Sequence, residues 1–212
     1  MSNNNFHIIT PRLVITHFDP SKESHIAFTL ELYKDYTTID KDGNVVREVP
    51  NRAAAIAMME TRVAQVKSTG FGRYLVSALP PSADSQETVS ERIERATPVG
   101  IVTINVRGPN TPPLPDVGFN LLPSTRGKGY ATEALEGLTR WYEKEKGMTE
   151  LLAYVEDDNE PSMRVLKRAG FELLGERHVK SLANSGGLNR SSPKRLLVWT
   201  RGLTKDPTHY GL

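Results

Sequence analysis

The segment from 124 to 131 combines two glycines with two basic side chains in a pattern suited to holding phosphate. It reads Ser-Thr-Arg-Gly-Lys-Gly-Tyr-Ala and lies between a strand-like stretch and an amphipathic helix. Gly127 and Gly129 let the backbone approach a ligand closely and turn its N–H groups outward. The following helix presents free N–H groups and the positive end of its dipole. With Arg126 and Lys128 nearby, these features predict a pyrophosphate site.

Three other interpretations of this segment each require a different sequence pattern or context. It could be a plain connection with solvated basic side chains, since short glycine motifs often match by chance. A Walker A loop needs Gly-x-x-x-x-Gly-Lys-Ser/Thr, which is absent. A dinucleotide-binding turn needs a third glycine where Thr132 stands, although Glu156 or Asp157 could imitate its ribose-binding acid. The segment also starts beyond residue 120, which leaves too little chain for a doubly wound sheet.

Motifs around this segment make the signal more specific. Val-Gly-Phe-Asn-Leu precedes it, Arg-Gly-Lys-Gly-Tyr-Ala-Thr-Glu-Ala-Leu runs through it, and Asn-Glu-Pro-Ser and Ala-Gly-Phe follow. In this order and spacing they resemble the GNAT acetyltransferases, and within them the RimJ/RimL-like branch. Thr-Pro-Arg-Leu at 10–13 also resembles the opening of that branch. The resemblance covers about 10–175 and is densest over 117–171.

The resemblance implies one acyl-CoA N-acyltransferase domain over 1–212, with acetyl-CoA as cosubstrate. Backbone amides of 126–131 would hold the pyrophosphate, and the strand at 119–121 would pair with the pantetheine amides like an added strand. Asn159 would hydrogen-bond the pantetheine arm or a water near the thioester. The implied cofactor-binding residues are Phe119, Asn120, Leu121, Arg126, Gly127, Lys128, Gly129, Tyr130, Ala131 and Asn159.

The implied reaction moves the acetyl group to a primary amine by direct attack in a ternary complex. The chain has no cysteine, which excludes an acyl-Cys intermediate and a Cys-rich zinc site, and no metal site is predicted. A backbone N–H on the 119–121 strand is expected to stabilise the oxyanion. The acceptor is expected to be a small molecule or a protein N-terminus. The alternatives are a CoA-binding module without turnover and a dinucleotide-dependent enzyme.

Two positions depart from the family pattern. Ser124 replaces the Gln or Arg that opens the signature, which puts one side-chain contact to phosphate in doubt. Leu166 stands where many members carry a Tyr that protonates the departing thiolate. In the RimJ/RimL-like branch a Ser three residues after the Asn is the proposed substitute, and Ser162 occupies that position.

The catalytic candidates are therefore Ser162, Asn159 and Asp116. Ser162 and Asn159 have a structural alternative, because both stand where a helix begins and could only satisfy its backbone N–H groups. Asp116 is the candidate general base, and the alternative is a solvated residue at a strand end. The sequence leaves Glu31, Glu156 and a water chain open as other bases.

Composition limits the other classes of partner. The net charge is +2 over 212 residues, and binding of nucleic acid would need a clustered basic face, so nucleic acid is not expected. No apolar stretch approaches the ~18 residues of a membrane span. No signal peptide is visible, so a cytoplasmic location is expected. A monomer and a homodimer are both compatible with the sequence.

Hydrophobic periodicity sets the expected fold class, which is a mixed α/β sheet. Adjacent strands without intervening helices predict a mostly antiparallel sheet of six to seven strands, with helices on both faces and one central βαβ unit. A helix is expected from the Asn51 cap to about Lys67. The segments 80–98 and 184–193 are expected to be exposed loops, and 203–212 a tail.

Overall fold

The computed structural model describes residues 6–40, 42–82, 86–108, 111–178 and 195–212. Within these ranges the strands are β1 His7–Ile9, β2 Leu13–Thr16, β3 Thr37–Ile39, β4 Val45–Arg47, β5 Gly72–Ala78, β6 Thr97–Asn105, β7 Asp116–Leu121, β8 Leu151–Glu156, β9 Glu172–His178 and β10 Arg195–Arg201. The helices are α1 Glu23–Leu32, α2 Arg52–Thr69, α3 Val89–Glu94, α4 Tyr130–Lys146 and α5 Glu160–Arg168. Short 3-10 turns span Pro123–Thr125 and Pro207–Tyr210.

Eight strands form the central sheet, in the order β1-β2-β5-β6-β7-β8-β10-β9. Neighbouring strands are antiparallel except β7 and β8, which are parallel and are joined by α4. This confirms the mixed, mostly antiparallel sheet with one central βαβ unit, but the sheet has eight strands rather than the expected six to seven, because the short β1 adds to its edge. β3 and β4 form a separate two-stranded ribbon closed by a turn at Gly43.

Apolar clusters lie on both faces of the sheet. One packs Leu135 and Leu138 of α4 against Tyr74 and Val102 of the central strands. The other packs Ile26 of α1 and Met59 of α2 against the opposite face. Leu75 and Ile101 supply the sheet side chains of this second cluster. Successive strand residues point to opposite faces, so this division fixes which side chains of β5 to β8 face α4 and which face α1.

The helix boundaries follow local signals in the sequence. Asn51 caps α2 by accepting from the N–H of Ala54 at 3.0 Å, and α2 ends at Gly70, which has a φ of 76°. Gly147, with a φ of 64°, ends α4 in the same way. Both glycines are in the left-handed conformation, which glycine adopts without steric cost. No helix in the described part of the chain is long and apolar enough to cross a membrane.

Two expectations about connections need correction. The 80–98 segment is not a plain loop, because α3 forms within it and begins with a capping box between Thr88 and Glu91. The 203–212 segment is not a free tail: Tyr210 is 7% exposed and its hydroxyl donates to Glu150. The expected loop at 184–193 lies outside the described residues. β1, β3 and β4 were not expected, because each has only three residues.

Candidate active site

The central feature of the site is a gap between β7 and β8. The two strands pair only at Asp116 with Leu152 and Val117 with Ala153, and no pairing continues beyond these residues. The N–H of Leu122 donates to β6, so residues 118 and 120 also turn their backbone groups toward β6. Phe119 and Leu121 must therefore direct their N–H and C=O groups into the gap.

A cleft of about 790 Å³ runs through this gap and is lined by residues from both faces of the sheet. The α4 side is the part formed by the start of α4 and the start of α5. The α1 side is the part on the opposite face, under α1 and α2. Representative residues of the α4 side are Gly127, Gly129, Tyr130, Ala131, Asn159 and Ser162; those of the α1 side are Tyr33, Tyr36, Arg73, Thr103, Asn120 and Tyr154.

Backbone geometry dominates the start of α4. Gly127 and Gly129 have φ values of 76° and 80°, in the region where L side chains are strained. Gly129 is the N-cap, and no side chain caps the helix. The N–H groups of the first turn have no partner within the helix, so they are available to an anion. Arg126 lies at the edge of the cleft, with its Nε donating to the carbonyl of Leu121 at 3.2 Å.

Arg12 braces this turn from outside. Its Nη1 donates to the carbonyl of Lys128 at 2.9 Å, and its Nη2 pairs with Glu133 at 2.7 Å. The hydroxyl of Thr10 also donates to Glu133, at 2.6 Å. Burial acts to raise the pKa of Glu133, but the hydrogen bonds from Thr10 and Arg12 outweigh it and lower that pKa. Thr-Pro-Arg-Leu at 10–13 was the sequence signal for this brace, although its role was not predicted.

The start of α5 places Asn159 and Ser162 at the cleft. The Asn159 side-chain oxygen accepts from the N–H of Ser162 at 3.2 Å, so the expected capping role of Asn159 is confirmed. The Ser162 hydroxyl makes no hydrogen bond to the described residues, so it does not act as a capping group. Leu166 is 1% exposed and packs in the core while also lining the cleft.

An ion pair lies at the other end of the gap, on the α1 side. Asp116 is 4% exposed, and its carboxylate accepts from Nε and Nη2 of Arg107 at 2.5 and 2.6 Å. It is therefore not a solvated strand-end residue. Burial raises the pKa of Asp116 and outweighs the opposing effect of Arg107. The Arg107 guanidinium also lies over the ring of Tyr154, 5.7 Å from its centre, and burial raises the pKa of Tyr154 to about 12.

Two tyrosines carry polar contacts along the rest of the α1 side. The Asn120 side chain donates to the hydroxyl of Tyr36 at 2.8 Å. Arg73 donates to the hydroxyl of Tyr33 at 2.5 Å, and the two tyrosine rings meet edge to face at 5.2 Å. Burial is the main cause that raises the pKa of Tyr36. Because the Asn120 backbone pairs with β6 and its side chain with Tyr36, its expected pairing with pantetheine does not fit this geometry.

A sequence profile of the acetyltransferase (GNAT) domain family matches residues 12–172. This chain belongs to the GNAT acetyltransferase family. Members of the family use acetyl-CoA, which is accordingly the cosubstrate of this enzyme. The gap, the uncapped start of α4 and the basic side chains beside it fit that cosubstrate. Comparison with curated proteins gives no significant sequence match.

Several solved acetyltransferase structures share the fold. The ribosomal-protein-S5-alanine acetyltransferase from Vibrio fischeri has a TM-score of 0.64 and 14% identity, covering 93% of this chain and 96% of the other. An acetyl transfer enzyme from Salmonella typhimurium that modifies the N-terminal serine of ribosomal protein L7/L12 has a TM-score of 0.62 and 15% identity, covering 93% and 99%. RimL in complex with coenzyme A has a TM-score of 0.62 and 15% identity, covering 95% and 100%. At these identities the likeness shows the fold alone.

The GNAT fold brings together most of the residues expected from the sequence. All of the implied cofactor and catalytic residues line the cleft except Lys128, whose side chain is exposed outside it. Glu156 also lines the cleft, whereas Glu31 lies on α1 and pairs with Lys34. Arg73, Arg107 and Tyr154 were missed, because only the assembled sheet places them together.

Proposed function

We propose that this acetyltransferase moves an acetyl group from acetyl-CoA to a primary amine by direct attack within a ternary complex. The observation that carries the proposal is that one cleft passes through the β7–β8 gap and is lined from both faces of the sheet. A thioester entering from the α4 side would meet an amine entering from the α1 side. The chain has no cysteine to carry the acetyl group in between.

The α4 side would bind the donor mainly through backbone groups. The amides of 127–131 would hold the pyrophosphate at the positive end of α4, whereas the expected amide of Arg126 donates to the carbonyl of Pro123 at 3.3 Å. Arg126 and Arg168, which also line the cleft, would add positive charge near the phosphates. The backbones of Phe119 and Leu121 would pair with pantetheine. One of their N–H groups would also donate to the oxyanion of the tetrahedral intermediate.

Asp116 would accept the proton that the attacking amine must lose. Each of its oxygens accepts one hydrogen bond from Arg107 and keeps a further lone pair. Burial raises the pKa of Asp116, and a carboxylate with a raised pKa is a stronger base at neutral pH. Arg107 would keep the carboxylate oriented toward the α1 side.

Ser162 would donate a hydrogen bond to the departing thiolate and relay to it a proton from a water, so that the hydroxyl is restored as the thiol forms. Its hydroxyl lies at the cleft without a hydrogen bond to the described residues, and Asn159 fixes the turn that carries it. A thiol has an ordinary pKa of about 8.5, so protonation assists departure less than it would for an alkoxide. We assign this step a modest share of the rate.

The proposed acceptor is a primary amine, on a small molecule or at a protein N-terminus. The Salmonella and Vibrio fischeri structures support the second possibility, because both of those enzymes act on ribosomal proteins. A ternary complex on one cleft requires only that the amine reach the gap from the α1 side, which both classes of acceptor could do.

The test is steady-state kinetics on the purified chain with acetyl-CoA and a panel of N-terminal peptides, amino acids, polyamines and aminoglycosides. Thiol release is measured with and without amine, so that simple hydrolysis is subtracted. We expect amine-dependent release and reciprocal plots that intersect, as direct transfer requires. Parallel plots would overturn the ternary complex, and no release with any amine would overturn the proposed reaction.

A further inference from the structure

Arg73 brings a positive charge into the cleft and forms no ion pair with a carboxylate of the described residues. Its Nη1 donates to the Tyr33 hydroxyl. Arg107, the other arginine that lines the α1 side of the cleft, has its charge paired with Asp116. Arg73 therefore keeps guanidinium N–H groups that a ligand could use.

A second guanidinium beside it strengthens the positive field. The Nε of Arg62 is buried without a hydrogen-bond partner in the described chain. Burial and then the charge of Arg73 lower the pKa of Arg62, and the opposing effects of Tyr33 and Glu48 are smaller. Arg62 does not line the cleft, so it adds positive charge there but no hydrogen bond to a ligand. An anion bound beside Arg73 would offset the repulsion between the two like charges.

The strand register places Arg73 near the reacting centre. Arg73 on β5 lies opposite Thr103 on β6, which in turn lies opposite Gly118 on β7. At a strand spacing of ~4.8 Å, the Cα atoms of Arg73 and Gly118 are about 10 Å apart. An arginine side chain spans most of that distance. A Cβ at Gly118 would lie 2.9 Å from the Thr103 hydroxyl, so glycine there keeps this row open.

We propose that the acceptor carries a carboxylate close to its amine, and that Arg73 is the specificity-determining residue that binds it. The inference rests on the function proposed above. A planar guanidinium can donate two parallel hydrogen bonds to a carboxylate, which gives both affinity and orientation. The hydroxyl of Tyr33 accepts one hydrogen bond from Nη1, which leaves the other guanidinium N–H groups for the carboxylate. The carboxylate could belong to a free amino acid or to an acidic residue next to a peptide N-terminus.

Matched acceptor pairs test the charge and distinguish its two sources. Glycine is compared with glycinamide, and a C-terminally blocked peptide beginning Ser-Asp with one beginning Ser-Asn. Rates are expressed per concentration of unprotonated amine, since the two members of a pair differ in amine pKa. We expect the carboxylate member of at least one pair to have the higher kcat/KM, by about 10- to 100-fold, which is the range for hydrogen bonds to charged groups.

Variants then assign the preference to Arg73. In Arg73→Gln the KM for the carboxylate acceptor should rise by about 10- to 100-fold and the ratio within the pair should fall to near one. Arg73→Lys should retain part of the preference, because lysine keeps the positive charge but lacks the two parallel N–H donors of the guanidinium. The KM for acetyl-CoA should not move. Arg140→Gln is the matched control, since Arg140 is exposed on α4 outside the cleft.

The outcomes separate this inference from the proposed reaction. Amine-dependent thiol release with equal rates for both members of every pair would overturn the inference and leave the reaction standing. If no amine is acetylated, calorimetry with CoA and N-acetylglycine or N-acetylglycinamide decides the point. Tighter binding of the carboxylate that is lost in Arg73→Gln would support it, and equal binding would overturn it.

Discussion

The two sides of the cleft are built in different ways. The α4 side uses backbone groups from one short segment, positioned by two left-handed glycines and the start of a helix. The α1 side uses side chains from separate elements, including Tyr33 after α1, Arg73 on β5, Asp116 on β7 and Tyr154 on β8. The residues that form the α4 side are neighbours in the sequence, whereas those that form the α1 side come together only when the sheet assembles.

This difference explains what each side can specify. Backbone N–H groups recognise a diphosphate through charge and shape, and they tolerate changes in the surrounding side chains. Side chains such as Arg73 and Asn120 present charge and hydrogen bonds that can vary from protein to protein on the same sheet. The donor can thus remain constant across a fold while the acceptor changes. Substitutions on the two sides should separate cleanly in their kinetic effects.

The largest expected effect is on the α1 side, in Asp116→Asn. Loss of a general base should lower kcat by about 10²- to 10⁴-fold, while the affinity for CoA stays unchanged. In the wild type, kcat should fall as the pH falls through the raised pKa of Asp116, because the protonated carboxyl cannot accept a proton. Asp116→Asn should lack this acidic limb, which a pH profile at saturating amine would measure.

Arg107→Gln sharpens this prediction. Removal of the guanidinium removes the charge that lowers the pKa of Asp116, so the acidic limb should move to higher pH. Circular dichroism and thermal unfolding on both variants control for the loss of a buried ion pair. An acidic limb that persists in folded Asp116→Asn would exclude Asp116 as the base and point to Glu156 or water.

The next effect belongs to the α4 side, in Gly127→Asp. A carboxylate beside the pyrophosphate should weaken CoA binding by about 100-fold or more, since like charges about 4 Å apart near a protein surface repel by ~4 kcal/mol. Gly147→Asp is the matched control, because Gly147 ends the same helix with a φ of 64° and also has open space around it. Both variants carry backbone strain, and calorimetry should find weak binding only in the first.

Ser162→Ala should have a smaller effect, with kcat lowered by about 10- to 100-fold and little change in either KM. This is the low end for general acid catalysis, because a thiolate leaves readily. A donor with a better leaving group, such as an acetyl ester of a more acidic thiol, should narrow the difference between variant and wild type. Unchanged turnover with acetyl-CoA itself would remove Ser162 from the mechanism.

The smallest expected effect comes from the brace behind the α4 side. Arg12→Gln should weaken CoA binding by no more than about fivefold, because Arg12 is 52% exposed and exposed ion pairs contribute little. Added salt should reduce the difference between variant and wild type, since it screens the pair with Glu133. A loss comparable with that of Gly127→Asp would show that the brace, rather than the glycines, determines the shape of the turn.

The sequence predicted the sheet class and the local backbone structure of the α4 side, because both depend on local signals. Glycine spacing, the Asn51 and Asn159 caps and the period of α4 are readable within a few residues. The capping box of α3 is also a local signal, but the low apolar content of residues 80–98 favours the prediction of a loop there. The contacts of Arg73 and Arg107 could not be predicted from the sequence, because the strand register across β5 to β8 decides which side chains meet.

The short pairing between β7 and β8 has a consequence for the behaviour of the whole sheet. Among the described residues, only two β7–β8 pairs join the β1–β7 part of the sheet to the β8–β10 part. Pantetheine bound in the gap would therefore supply backbone hydrogen bonds that the two strands do not make to each other. Amide hydrogen exchange at Phe119 and Leu121 should slow sharply when CoA is added, and melting should shift upward with CoA concentration. At about 100 times its Kd a ligand adds ~2.7 kcal/mol to folding stability, so on this proposal the cosubstrate would also be a reversible structural component of the enzyme.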